Sequence, residues 1–265
     1  MAHLYLRGRD LGPVGGVLFD KDGTLSHSEP RLIELADDRI EESARRFQQR
    51  GAHGTTILEL KDLLKRTFGR SPQGVIPDGT LAVASRHHNL LSTATVFCQM
   101  NLSWPQSLLL AEEVFAQVDA CRQKRHPSGK PVGLLPDAAR LLRELADAGI
   151  ICAVISNDTT AGIQQFLDQH QLNDCISGLW SADHHPAKPD PGAVHGLCSQ
   201  LNLAVDTCAL IGDADTDLLM ARQAGIGLTL GYVAGWHREP TLTGHEHLIS
   251  HWSELTATKD EMSKR

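Results

Sequence analysis

The chain has 265 residues, of which 41% are apolar and 22% charged; this is ordinary globular composition, which excludes wholesale disorder. At about 150 residues per domain, the length fits one large domain or two smaller ones. The formal net charge of −7 counts against a protein that coats nucleic acid, but not against a phosphorylated small molecule, because local charge at a site can oppose the net value.

The first ten residues carry Arg7, Arg9 and Asp10 and no apolar stretch, so no secretory signal is expected there. No run of about 18 apolar residues predicts a membrane span. The six cysteines are scattered without a C-x-x-C pair, which points to reduced thiols and a cytoplasmic location. Two adjacent histidine pairs, His87-His88 and His184-His185, diverge on any regular element and read as surface.

Residues 14–19 (VGGVLF) form a short apolar run that ends in a polar cluster, the signal of a buried strand. From about residue 29 to 126 the pattern is helical, over 31–49, 55–68, 81–100 and 105–125, with Gly and Pro between and no convincing strand. After residue 131 strands and helices alternate. Helices are expected over 137–148, 159–170, 191–201 and 215–224. Strands are expected over 150–155, 176–179, 208–211 and 226–230. Such alternation implies right-handed βαβ units, and near-continuous apolar strands imply a parallel sheet covered on both faces. The expectation is a doubly wound α/β core with an all-helical module inserted after its first strand. The core would comprise residues 1–26 and 135–265, and the module 27–134. Residues 256–265 are polar and read as a frayed tail.

Four segments carry chemistry, each at or just after a strand end, where open α/β sheets bind ligands. In Asp20-Lys21-Asp22-Gly23-Thr24, two carboxylates two residues apart point the same way from an extended chain. One could attack as a nucleophile while the other moves protons. A plain polar turn would look similar. In Ser156-Asn157-Asp158-Thr159, a hydroxyl, an amide and backbone N–H groups precede a helix and could hold phosphate oxygens; a helix N-cap at Asp158 would suffice for the segment alone. Lys188, before Pro189, is either surface charge or a cation facing a carboxylate. Asp213, Asp215 and Asp217 begin like a calcium loop, but Leu218 and Ala224 occupy its glycine and glutamate positions, so Mg²⁺ fits better.

Together and in this order, these motifs resemble the haloacid dehalogenase-like hydrolase superfamily: D-x-D-G-T, the serine after the second strand, the lysine before proline, and G-D-x-x-x-D. The segment from Glu246 to Leu255 resembles that superfamily's usual final strand and helix start. The helical insertion resembles the subfamily with phosphoglycolate phosphatases and β-phosphoglucomutases, and would be its cap. The resemblance implies a Mg²⁺-dependent phosphatase acting on a small phosphorylated metabolite. Asp20 would form an aspartyl-phosphate. Asp22 would protonate the leaving alcohol, then activate water, and offer its backbone carbonyl to Mg²⁺. Ser156 would hold the phosphoryl group, with Asn157 and the Lys21 N–H nearby. Lys188 would neutralise charge at the nucleophile, Asp213 would ligate Mg²⁺ together with Asp20, and Asp217 would support the ion. Two positions depart from the pattern: His27 stands where many relatives carry Asp, and Lys21 where bulkier apolar residues are common.

Asp22 counts against a haloacid dehalogenase proper, and the lack of membrane spans against a P-type ATPase. Lys61 and Lys65 look like a solvated helix face, not a reactive amine of a phosphonate hydrolase. A phosphosugar mutase shares every core residue and is the alternative enzyme. A non-catalytic phospho-ligand regulator would be expected to have lost part of this set. Arg70, Arg86, His87 and His88 are candidates for substrate contact from the insertion. The insertion, residues 27–134, holds 14 basic and 12 acidic residues, against 11 and 20 in the remainder. The acidity thus lies in the core, where Asp20, Asp22, Asp213, Asp215 and Asp217 are expected to gather around a cation.

Overall fold

The computed structural model describes residues 1–125 and 132–259. Two compact units divide the chain: Met1–Ser28 with Pro131–Arg265, and Glu29–Lys130.

Strand β1, Gly16–Phe19, is buried at every residue. The inserted unit follows. Its main helices are α1 (Glu29–Gln49), α2 (Thr55–Phe68), α3 (Arg86–Gln99) and α4 (Trp104–Arg125). Each buries a stripe at helical spacing, such as Leu32, Ala36, Ile40, Ala44 and Phe47 on α1. The helix expected over 81–100 is broken into Thr80–Val83 and α3. Ser85 causes the break: its hydroxyl caps α3 by accepting from the His88 N–H, and the Asn89 amide takes the carbonyls of Thr80, Ala84 and Ser85. A two-residue hairpin, Arg70–Ser71 with Gly74–Val75, interrupts the otherwise helical stretch.

The first unit resumes with α5 (Ala138–Asp147), β2 (Ile151–Ile155), α6 (Thr160–His170) and β3 (Gly178–Trp180). Then come α7 (Pro191–Gln200), β4 (Cys208–Gly212), α8 (Asp215–Ala224), β5 (Leu228–Tyr232) and β6 (His247–Ile249). The six strands form one parallel sheet in the order β6-β5-β4-β1-β2-β3. Alternate residues serve opposite faces. Val17, Phe19, Val154 and Ile211 pack with Leu141, Leu142 and Phe166, while Leu18, Ala153, Ile155 and Leu210 pack with Val194, Leu197 and Met220. Both faces are covered, as the doubly wound reading requires.

The ends of the chain differ from expectation. Val14 belongs to a separate strand, Arg9–Val14, in a three-stranded antiparallel sheet whose centre is Ala2–Leu6 and whose far edge is Leu255–Thr258. Thr256, Ala257 and Thr258 are therefore paired rather than frayed, because Ala2, Leu4, Leu6 and Leu255 bury against Trp252 and the main core. Residues 260–265 of the expected tail lie outside the described residues. After β6 the chain makes one short turn, Trp252–Glu254, in place of a helix. No helix among the described residues is long and apolar enough to cross a membrane.

Candidate active site

Parallel pairing aligns the carboxyl ends of β1, β2 and β4: Phe19 lies opposite Val154 on one side and Ile211 on the other. Asp20 extends this ladder, its N–H donating to the Ile211 carbonyl at 2.9 Å. Asp20, Ser156 and Asp213 consequently leave three adjacent strands at one edge. Lys188 reaches the same edge from the segment before α7. Its Nζ donates to Asp20 Oδ1 at 2.7 Å, sits 2.6 Å from Asp217 Oδ1, and donates to the Ile155 carbonyl at 3.3 Å. One buried ammonium thus links the ends of β1 and β2 with the first turn of α8.

Carboxylate oxygens of Asp20, Asp213 and Asp217 lie within 4.8 Å of one another, and all three residues are buried. Burial, then the neighbouring Asp217 and Asp22, push the Asp20 carboxyl up to about 6, against the opposing pull of Lys188. Burial, then Asp20 and Asp217, also hold Asp213 well above the usual carboxylate range. For Lys188, burial favours the neutral amine, but Asp20 and Asp217 outweigh it and raise its pKa. An all-oxygen set with more negative charge than one ammonium offsets is the donor chemistry of a small hard cation.

Asp22 is oriented differently. Its Oδ1 accepts from Lys21 Nζ at 2.7 Å, from Ser26 Oγ at 3.3 Å, and from Ser28 Oγ. Its carboxylate is not part of the three-residue cluster. Ser156 is buried; its N–H donates to the Trp180 carbonyl, and its Oγ accepts from the Asp158 N–H at 3.2 Å. Asn157 follows it, half-buried. The α6 N-cap is Thr159, whose hydroxyl accepts from the Gly162 N–H, and not Asp158.

Asp215 does not join the cluster. Its carboxylate accepts from the Thr243 N–H and hydroxyl, both at 2.7 Å, and from the Gly244 N–H at 2.9 Å. Asp213 stands before the Ala214 N-cap of α8, whereas Asp215 and Asp217 lie two residues apart in its first turn and so face different sides of the helix. In the inserted unit, Arg70 pairs with Asp37 and Arg86 with Asp119, while His87 and His88 are exposed. His184 is only half-buried, with its ring stacked on Trp180.

Three further residues surround Asp213: Gly23 and Thr24 close the D-x-D-G-T motif, while Trp236 belongs to no motif. Trp236, from the loop after β5, donates its indole N–H to Asp213 Oδ2 at 2.5 Å. Thr24 donates its hydroxyl to Asp213 Oδ1 at 2.8 Å. Gly23 has φ +86°, and any Cβ there would strike both Asp213 Oδ2 and the Trp236 ring.

A Vibrio vulnificus phosphoglycolate phosphatase is 27% identical over 238 residues, 88% of this chain and 90% of that protein. The match to a Vibrio cholerae phosphoglycolate phosphatase is 32% identical over 121 residues, 44% of this chain and 52% of that one. Among solved structures, a predicted phosphoglycolate phosphatase from Haemophilus somnus shares the fold. Its TM-score is 0.63 at 17% identity, with 92% of this chain and 97% of that one covered. The family description "haloacid dehalogenase-like hydrolase" matches residues 14–225, a span that includes all four motifs gathered at the sheet edge. The chain belongs to the haloacid dehalogenase-like hydrolases.

Proposed function

We propose that the protein is a phosphatase that hydrolyses a small phosphorylated metabolite through an aspartyl-phosphate on Asp20. The observation that carries this reading is the convergence of Asp20, Lys188, Asp213 and Asp217 in one buried cluster at the strand ends. Asp20, Asp213 and the Asp22 carbonyl would hold Mg²⁺, with Asp217 supporting them. Bound there, such an ion would supply positive charge to offset that of the phosphoryl group.

The chain's own groups supply the remainder. Lys188 holds Asp20 Oδ1 and fixes the carboxylate for attack. The Asp20–phosphorus bond forms as the ester oxygen leaves, and Asp22 gives that oxygen a proton. Asp22 then accepts a proton from the water that cleaves the aspartyl-phosphate. Ser156 and the N–H groups of Lys21 and Asn157 are assigned to the phosphoryl oxygens. Residues 27–134 are assigned the part of a cap, and their slight excess of basic residues suits an anionic substrate. The whole-length similarity to the Vibrio vulnificus protein makes phosphoglycolate the first substrate to try. All six cysteines are thiols without disulfides, which supports a reducing, cytoplasmic setting.

The test is release of inorganic phosphate from a panel of phosphorylated metabolites, with and without Mg²⁺. Release is expected only with the ion, and Asp20→Asn is expected to lower it by about 10³-fold or more, since the covalent route is lost. Undiminished, Mg²⁺-dependent release by Asp20→Asn would overturn the assignment.

A further inference from the structure

The side chain of Lys21 has a place of its own. Lys21 lies between Asp20 and Asp22 just beyond the end of β1, where the chain turns. Lys21 is 1% exposed, with Nζ 5.7 Å from the centre of the Phe166 ring on α6. Nζ donates to Asp22 Oδ1 at 2.7 Å and lies 3.1 Å from Asp158 Oδ2. Asp158 stands two residues after Ser156 in the same loop and also accepts, through Oδ1, from the Thr159 N–H. Ser26 and Ser28 donate to the same Asp22 oxygen as Lys21 does. The carbonyl of Lys21 accepts from the N–H groups of Leu25 and Ser26 and from the Ser26 hydroxyl, so the turn that carries these donors is itself closed on Lys21.

Burying an ammonium is costly unless it is paired with good geometry. Here the pairing joins the residue after the proposed nucleophile's neighbour to the loop of the proposed phosphoryl-binding serine. An apolar side chain could fill the space beneath α6, but could not hold a carboxylate.

We propose that Lys21 is a positioning residue for the leaving-group step: its ammonium ties Asp22 to Asp158, holding the proton donor and the Ser156 loop in one geometry. The inference rests on the proposed role of Asp22. In that step the ester P–O bond breaks, phosphorus bonds to an Asp20 oxygen, and the Asp22 proton goes to the departing oxygen. Esters of strongly acidic alcohols need little of that proton; alkyl esters need most of it.

The experiment uses the full chain with Mg²⁺ and compares kcat/KM for p-nitrophenyl phosphate with that for an alkyl phosphate. Lys21→Met keeps the length and apolar stem of the side chain. The Asp22 and Asp158 side chains are 19% and 20% exposed, so water can reach both when the amine is removed. The ratio of nitrophenyl to alkyl kcat/KM is expected to rise about tenfold or more in Lys21→Met, a part of the 10²- to 10⁴-fold that a positioned acid contributes. Asp158→Asn keeps the lysine but weakens its far anchor, and is expected to shift the ratio the same way, by about threefold. It also carries the test if Lys21→Met fails to fold. A packing role would lower both substrates by the same factor and leave the ratio unchanged in both variants, which would overturn the proposal. Asp22→Asn separates the two readings: if its ratio is unchanged, the acid role of Asp22 falls and this inference with it. A rise in Asp22→Asn without any in Lys21→Met or Asp158→Asn removes Lys21 alone.

Discussion

Asp213 is held by two hydrogen bonds of its own chain, from Thr24 and from Trp236, one on each oxygen. Donors of this kind fix the direction of a ligating carboxylate, and their loss typically costs about 10- to 100-fold in metal affinity. Trp236→Phe keeps the ring and removes the donor, so Mn²⁺ affinity measured by electron paramagnetic resonance should fall by at least about tenfold. Asp215→Asn is the contrasting case. It should leave that affinity within about twofold while lowering stability by about 1–2 kcal/mol, because it weakens hydrogen bonds to Thr243 and Gly244. Chemical denaturation beside the Mn²⁺ titration separates the two effects. Counting acidic residues in a short loop could not make this distinction. Strand ends gather Asp20, Lys188, Asp213 and Asp217 because motif and topology agree. The direction of Asp215 depends on where α8 begins, and Trp236 reaches Asp213 from a loop without any local pattern. Lys21 was legible only as a backbone donor, since nothing in the local sequence says what its amine meets.

Elements differ in how much of their environment the local sequence carries. Strands β1, β2 and β4 are apolar runs covered on both faces, so composition alone reveals them. The antiparallel sheet at the chain ends is another matter. Ala2, Leu4 and Leu6 alternate over only five residues, and the strand that completes their pairing, Leu255–Thr258, comes at the far end of the sequence. A pattern that short does not name its partner. The structure makes it a packed element: Leu4 is fully buried, and Leu4→Ala should cost about 2–5 kcal/mol in denaturant unfolding. A cost below about 0.5 kcal/mol would mean that this sheet is peripheral to folding. Ser85 makes a similar point within a helix. An apolar pattern ran through it, and the hydroxyl that caps α3 ended one helix and began another.

Across the whole molecule, part of the acidic balance of the α/β unit sits where folding has to tolerate it, as three buried carboxylates around one ammonium. The Asp20 carboxyl binds its proton more tightly in the folded state, with a pKa of about 6 against about 4 in an unfolded chain, and Asp213 is displaced in the same direction. The stabilising contribution of Asp20 is fully present below about pH 4 and is lost as pH rises through about 6, when the folded state must release a proton it prefers to keep, and Asp213 acts in the same direction. A cation at the cluster reverses that loss. Mg²⁺ should therefore raise the melting temperature more at pH 7.5 than at pH 5, where protons already occupy the carboxyls. A larger gain at pH 5, read by differential scanning calorimetry, would place the ion elsewhere. The topology also sets an order in time. Strand β1 is made before the inserted helices, yet it pairs only with β2 and β4, which follow the whole insertion. A ribosome that has finished α4 has released every helix of the insertion and a single orphan strand of the sheet. The Asp20 carboxylate at the end of β1 thus waits through most of synthesis for its neighbours, and closing that long loop makes sheet assembly a late and slow event.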